Sequence, residues 1–200
     1  MTDSVDTDSV GVAALYLSDV RARMRSVKAL GDGALAQLRE TEIGTALSAE
    51  GNSAGVVVQH LAGNMRSRWG GLSHGYTAAE GETGTRNRDA EFEPRLANLS
   101  EVLAEWEAGW AVFFSALDHL TPADLTRPLT IRSEVHTVLE AIQRQVAHYS
   151  GHVYQLIFLV KTLRGAEWQT LSIARGESAA FNAQMQERQT PERQTQERNG

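Results

Sequence analysis

Residues 137–163, TVLEAIQRQVAHYSGHVYQLIFLVKTL, decide the fold. Apolar side chains recur there three or four apart: Val138, Leu139, Ile142, Val146, Tyr149, Val153, Leu156, Ile157 and Val160. That is the period of a helix with one buried face. Thr137 with Glu140 three residues on forms a capping box that opens the helix, and Gly165 closes it. A stripe of this length needs other stripes to cover it.

Working outward, three more segments supply them. A stripe of Leu96, Leu99, Val102, Leu103, Trp106, Trp110, Phe113, Phe114 and Leu117 predicts a helix whose first turn holds Pro94. A second helix, about Ala54 to Trp69, follows a cap at Asn52 or Ser53 and buries Val57, Val58, Leu61, Met65 and Trp69. The first runs from about Val10 to Leu38, with Gly31 and Gly33 expected to bend or fray it. Gly44 to Asn52 reads as a loop, and Leu129 to His136 as a small hairpin. Gly70 to Glu93 is too long for a tight turn and predicts a crossover between parallel helices. The expected architecture is all-α: a four-helix bundle in up-down-down-up order over residues 9–187. A short extra C-terminal helix, about Gly176 to Gln186, completes it. Residues 1–8 and 188–200 are expected to be disordered, the latter because ERQTPERQTQERNG has no apolar residue.

Composition narrows the function. Of 200 residues, none is Cys, so a thiolate nucleophile, a disulfide framework and a Cys-based zinc site are all excluded. Nineteen Lys and Arg stand against 25 Asp and Glu, and a net charge of −6 argues against nonspecific nucleic-acid binding. No apolar run approaches the roughly 18 residues of a membrane span. The acidic N-terminus lacks the apolar core of a signal peptide, so a bacterial-type cytoplasmic location is expected. There is no phosphate-cradling GxxxxGK loop and no GxSxG elbow.

The histidines carry the chemistry. His148 and His152 are four apart, one turn of one helix face. Relative to Tyr149 at the stripe centre, they lie about 100° and about 60° to the same side. On the second helix, His60 and Asn64 lie about 100° and about 60° off Leu61, again on one side. Should the two helices be neighbours, three imidazoles meet at the edge of the buried face, as in a catalytic zinc site with a vacant position. The alternative is a solvated or hydrogen-bonded pair. His74, His119 and His136 fall in or near links and read as surface or locally bonded residues. Arg66, Arg68, Arg86, Arg88 and Asp89 form a second cluster. It either orients a carboxylate-bearing substrate or ties the long link to the helix end through Arg–Asp pairs.

VVVQHLAGNMRSRW, RNRDAEFE, AIQRQVAHYSGHVYQLIFL and WQTLSIARGES together resemble the DinB/YfiT-like superfamily, in its branch of uncharacterised small bacterial proteins. The resemblance spans about Val10 to Met185. It implies a mononuclear metal centre on His60, His148 and His152, with zinc or nickel the usual ion, and a homodimer. It also implies a small-molecule substrate, including low-molecular-weight thiols in transferase reactions. Asn64, Arg68 and Arg88 are then candidate residues around the metal or substrate, and Tyr154 is expected to narrow the cleft. One edge of the band Trp106, Trp110, Phe113 and Phe114 is expected to face the second subunit. The reading is a metal-dependent, thiol-using transferase or hydrolase. Its rival is a non-catalytic dimeric stress-response protein with a structural or vestigial metal.

Overall fold

A computed structural model describes residues 7–72, 86–131 and 133–198, with side chains described for residues 11–72, 86–131 and 133–188. Residues 1–166 and 167–200 form two separate units. Among the described residues the first unit contains α1 (Thr7–Leu35), α2 (Ala54–Trp69), α3 (Leu99–His119), the strands β1 (Pro128–Ile131) and β2 (Glu134–Thr137), and α4 (Val138–Arg164). The second contains α5 (Ser178–Arg198). The chain is mostly helical, as its periodicity requires.

α2 is the innermost element. Small and branched residues fill it, and almost every residue from Ala54 to Trp69 is buried. It packs on α3 and also touches α4, while α1 packs on α4 and α3. The core between them is formed by Leu17 and Met24 of α1, Leu61 and Met65 of α2, Trp110 and Phe113 of α3, and Tyr149 and Leu156 of α4. Caps fix where the helices begin. Ser53 Oγ accepts from Val56 N, and Thr137 with Glu140 forms the expected box at α4. Gly165, at φ 54°, closes α4 in a conformation that favours glycine. β1 and β2 pair antiparallel with Leu129 opposite His136, the expected hairpin.

Several expectations need correction. α3 begins at Leu99 rather than in the turn after Pro94, because Asn98 accepts from Glu101 N and supplies a better cap. Ahead of it, residues 89–92 form a short helical turn. α1 passes through Gly31 and Gly33 without a break. A Cβ at Gly31 would meet the ring of Trp106 at 2.5 Å, so that glycine makes room for an indole. The aromatic band of α3 is used within the chain: Trp106, Trp110 and Phe113 are buried, and Phe114 stacks on Trp110 beneath the Arg25 guanidinium. α5 spans Ser178–Arg198 and so continues past the expected end at Gln186. Most of the Gly70 to Glu93 link, residues 73–85 with His74, lies outside the described residues.

Candidate metal centre

His60 sits in the middle of α2, and His148 and His152 sit one turn apart on α4. Because α2 and α4 are neighbours, the three rings converge. His60 Nε2 and His148 Nε2 are 3.3 Å apart, and one ligand atom from each ring lies within 4.8 Å of the others. His60 is 5% exposed and the other two are half-buried, so the cluster opens to one side.

What holds the rings matters more than their proximity. Each Nδ1 faces a side-chain oxygen: His60 that of Glu91 at 3.0 Å, His148 that of Gln145 at 3.3 Å, and His152 that of Gln155 at 2.9 Å. An oxygen acceptor at Nδ1 places the proton there and leaves the Nε2 lone pair free to bind a cation. Burial, then the neighbouring His152 and His60, pull His148 down to about 3. Burial also lowers His152, although Gln155 opposes the shift. Both are therefore neutral at pH 7, the form that ligates metal. Three imidazoles, each held at Nδ1 by a side-chain oxygen, suit a divalent transition-metal ion. Among the described residues, no fourth His, Asp or Glu joins the group.

Glu91 is the residue the sequence reading missed. It is buried, and Arg86 donates to both of its oxygens, Nε to Oε1 at 2.7 Å and Nη2 to Oε2 at 2.9 Å. Burial alone would raise its pKa, but the bonds from His60 and Arg86 outweigh that and hold it below the ordinary carboxylate value. It is thus an anion that orients His60. Its segment is pinned by Gln59, which donates to Glu91 O and Glu93 O and accepts from Arg95 N. A Cβ at Gly63 would collide with the Glu91 carboxylate, so the missing side chain forms its seat. The available signal was the RNRDAEFE segment, whose Arg86 pairs with Glu91 rather than Asp89.

The other expected residues separate. Asn64 lines the cavity, and its Oδ1 accepts from Tyr149 OH at 2.9 Å, which accepts from Trp69 Nε1 at 2.9 Å. Burial keeps Tyr149 protonated, so this buried chain fixes the Asn64 amide. Arg68 is buried in the cavity wall and Arg88 stands at its rim. Arg66 turns away to pair with Glu105. Tyr154 is exposed and does not line the cavity, so the expected narrowing is absent. His119 bonds the backbone of Ser115 and His136 lies beside Glu134, both local roles. The cavity over the imidazoles measures about 230 Å³.

Substituting Glu91→Gln tests the support of His60. The amide keeps the shape and loses the charge that fixes the His60 proton. Metal affinity, measured by competition with a chelator, should fall roughly 10- to 100-fold, the usual effect of losing such a partner. A change of less than about twofold would show that Glu91 does not act through His60.

A family profile described as "Protein of unknown function (DUF1572)" matches residues 11–177. No curated protein and no solved structure matches the chain.

Proposed function

Because the chain belongs to the DUF1572 family, whose description gives no activity, we propose from the site itself that this protein is a metal-dependent enzyme. It would hold zinc or nickel on His60, His148 and His152 and act as a thiol-dependent transferase or a hydrolase. One observation carries the reading: three imidazoles share a half-open cavity, each Nδ1 is met by a side-chain oxygen, and no fourth protein ligand closes the group among the described residues. A structural centre would be closed by such a ligand. When bound, the ion would lower the pKa of a water or thiol in the open position and so furnish a nucleophile at neutral pH.

The chain's own residues bind and orient. Glu91 and Arg86 hold His60, Gln145 and Gln155 hold the two α4 rings, and Tyr149 fixes the Asn64 amide on the cavity wall. With no Cys in the sequence, a reacting thiol must arrive with the substrate. The pairwise contacts of α1–α4 support reading them as an up-down-down-up bundle of the DinB/YfiT-like kind. No helix among the described residues is long and apolar enough to cross a membrane, and the reading places the enzyme in the bacterial cytoplasm.

Cobalt substitution tests the open position. Titrating 2-mercaptoethanol into the cobalt-loaded chain should produce a thiolate-to-metal absorption band that saturates, since cobalt accepts imidazole and sulfur donors together. A spectrum indifferent to thiols, azide and cyanide alike would mean a closed centre and would overturn the enzyme reading in favour of a structural metal.

A further inference from the structure

The charge on the cavity wall is opposite to that of the chain as a whole. The sequence carries a net charge of −6. Yet four arginines, Arg68, Arg86, Arg88 and Arg144, line the cavity over the imidazoles, and no Asp or Glu does among the described residues. The nearest acid, Glu91, is buried and already bonded by Arg86 and His60. We infer that the site takes a small organic carboxylate, gripped by Arg88 and Arg144 beside the three-histidine centre. The inference rests on reading that centre as a substrate site, and names the class of substrate.

The four arginines are not equivalent. Arg86 is committed to Glu91, and Arg68 is buried in the wall. Arg88 lies at the exposed rim with its guanidinium 5.4 Å from the Phe92 ring, which limits where its fork can point. Arg144 stands on α4 one turn before His148, also exposed at the rim. Among the described residues neither has a carboxylate partner. Arg23, Arg66 and Arg164, away from the cavity, pair with Asp19, Glu105 and Glu42. Two cations with no carboxylate partner among the described residues, at the mouth of a pocket that already contains two more, repel one another, and an incoming anion relieves that.

Carboxylate is favoured over phosphate by the kind of donor. The α2 and α4 residues of the wall lie inside their helices, where backbone N–H groups are already bonded. Among the described residues no α-helix N-terminus, the feature that receives phosphate, lines the cavity. The donors are planar guanidinium forks, which match the two coplanar oxygens of a carboxylate. At about 230 Å³ the cavity is smaller than the usual pocket for drug-sized ligands, about 300–1,000 Å³. The ligand is therefore small, or inserts only its acidic end.

Calorimetric titration of the full chain with 3-mercaptopropionate and 2-mercaptoethanol, before and after zinc loading, tests this. The two thiols differ in carrying a carboxylate or a hydroxyl. The acid should bind roughly tenfold or more tighter in both states, the size expected of a charge-assisted pair. In R88Q/R144Q, whose exposed positions leave the core untouched, the preference should vanish while 2-mercaptoethanol affinity stays unchanged. Equal affinities in the unsubstituted chain, or a preference that survives the double substitution, would overturn the inference. So would inorganic phosphate displacing the acid more strongly than acetate does. A chain that takes up no zinc but keeps the preference would sink the metal reading alone. A chain that takes up zinc and shows no preference would sink this inference alone.

Discussion

Replacing His148 and His152 together with alanine should lower bound metal from about one ion per chain to roughly a tenth or less, because two of three donors disappear. Elemental analysis of both proteins, purified without chelator, is the measurement. Both rings are half-buried at the cavity edge, so the variant should fold, with a far-ultraviolet spectrum like that of the parent. Equal metal in the two proteins would remove the assignment. His60→Ala is the poorer variant, since it strips the partner from buried Glu91 and so confuses metal loss with destabilisation.

Acid should release the ion from the unsubstituted chain, as protons compete for the same lone pairs. The metal-free protein should carry a second signature. In the unfolded chain a histidine takes up its proton near pH 6.5, but the folded site holds His148 down to about 3, by burial and by its neighbours. The unfolded state therefore binds more protons across that interval, and stability falls as pH drops from 6.5 toward 3. The slope is at most about 1.4 kcal/mol per pH unit per histidine. With solvent reaching the half-open site, a loss of about 1 kcal/mol between pH 7 and pH 5 is expected from His148. Urea unfolding at the two pH values should show it, and His148→Gln should flatten it.

The helices and the three-histidine set were legible because both are periodic. A fixed turn angle places His148 and His152 on one face and puts His60 and Asn64 at a matching edge of another. Contacts made by loop residues have no such rule. Glu91 lies 31 positions from His60 and meets it where Gln59, the neighbour of His60, bonds the backbone of Glu91 and Glu93. Nothing in RNRDAEFE distinguishes Glu91 from Asp89 until the chain is folded. Local rules also compete: Pro94 suits a first turn, but Asn98 offers an actual hydrogen bond, and the helix starts there. Gly31 was misread for a related reason. Propensity treats it as a weakness of its own helix, whereas its place, like that of Gly63, is shaped by what another element puts against it.

Gly109 is the strongest instance, and Gly109→Ala should destabilise the protein although alanine is the better helix former. A Cβ there would lie 2.7 Å from Ala62 Cα and 2.9 Å from Ala62 Cβ. The first of these is backbone, so no rotamer change relieves the contact and α2 and α3 must move apart. Alanine gains about 1 kcal/mol in helix propensity over glycine, against an overpacking cost of about 1–3 kcal/mol, more where backbone must shift. A net loss of about 1–2 kcal/mol is expected, a drop in melting temperature of roughly 2–8 °C for a chain of this size. Gly109→Val, with two further methyls in the same gap, should lose more. Gly151→Ala supplies the opposite sign. It lies on α4 between His148 and His152, and a Cβ there meets nothing within 4 Å, so it should gain about 0.5–1 kcal/mol. The two substitutions are chemically identical and both fall within helices, so helix propensity alone predicts the same sign for each. Gly109→Ala melting at or above the parent would mean that α2 is not held against α3 at this distance. The seating of His60, which α2 carries to the three-histidine cluster, would then need another explanation.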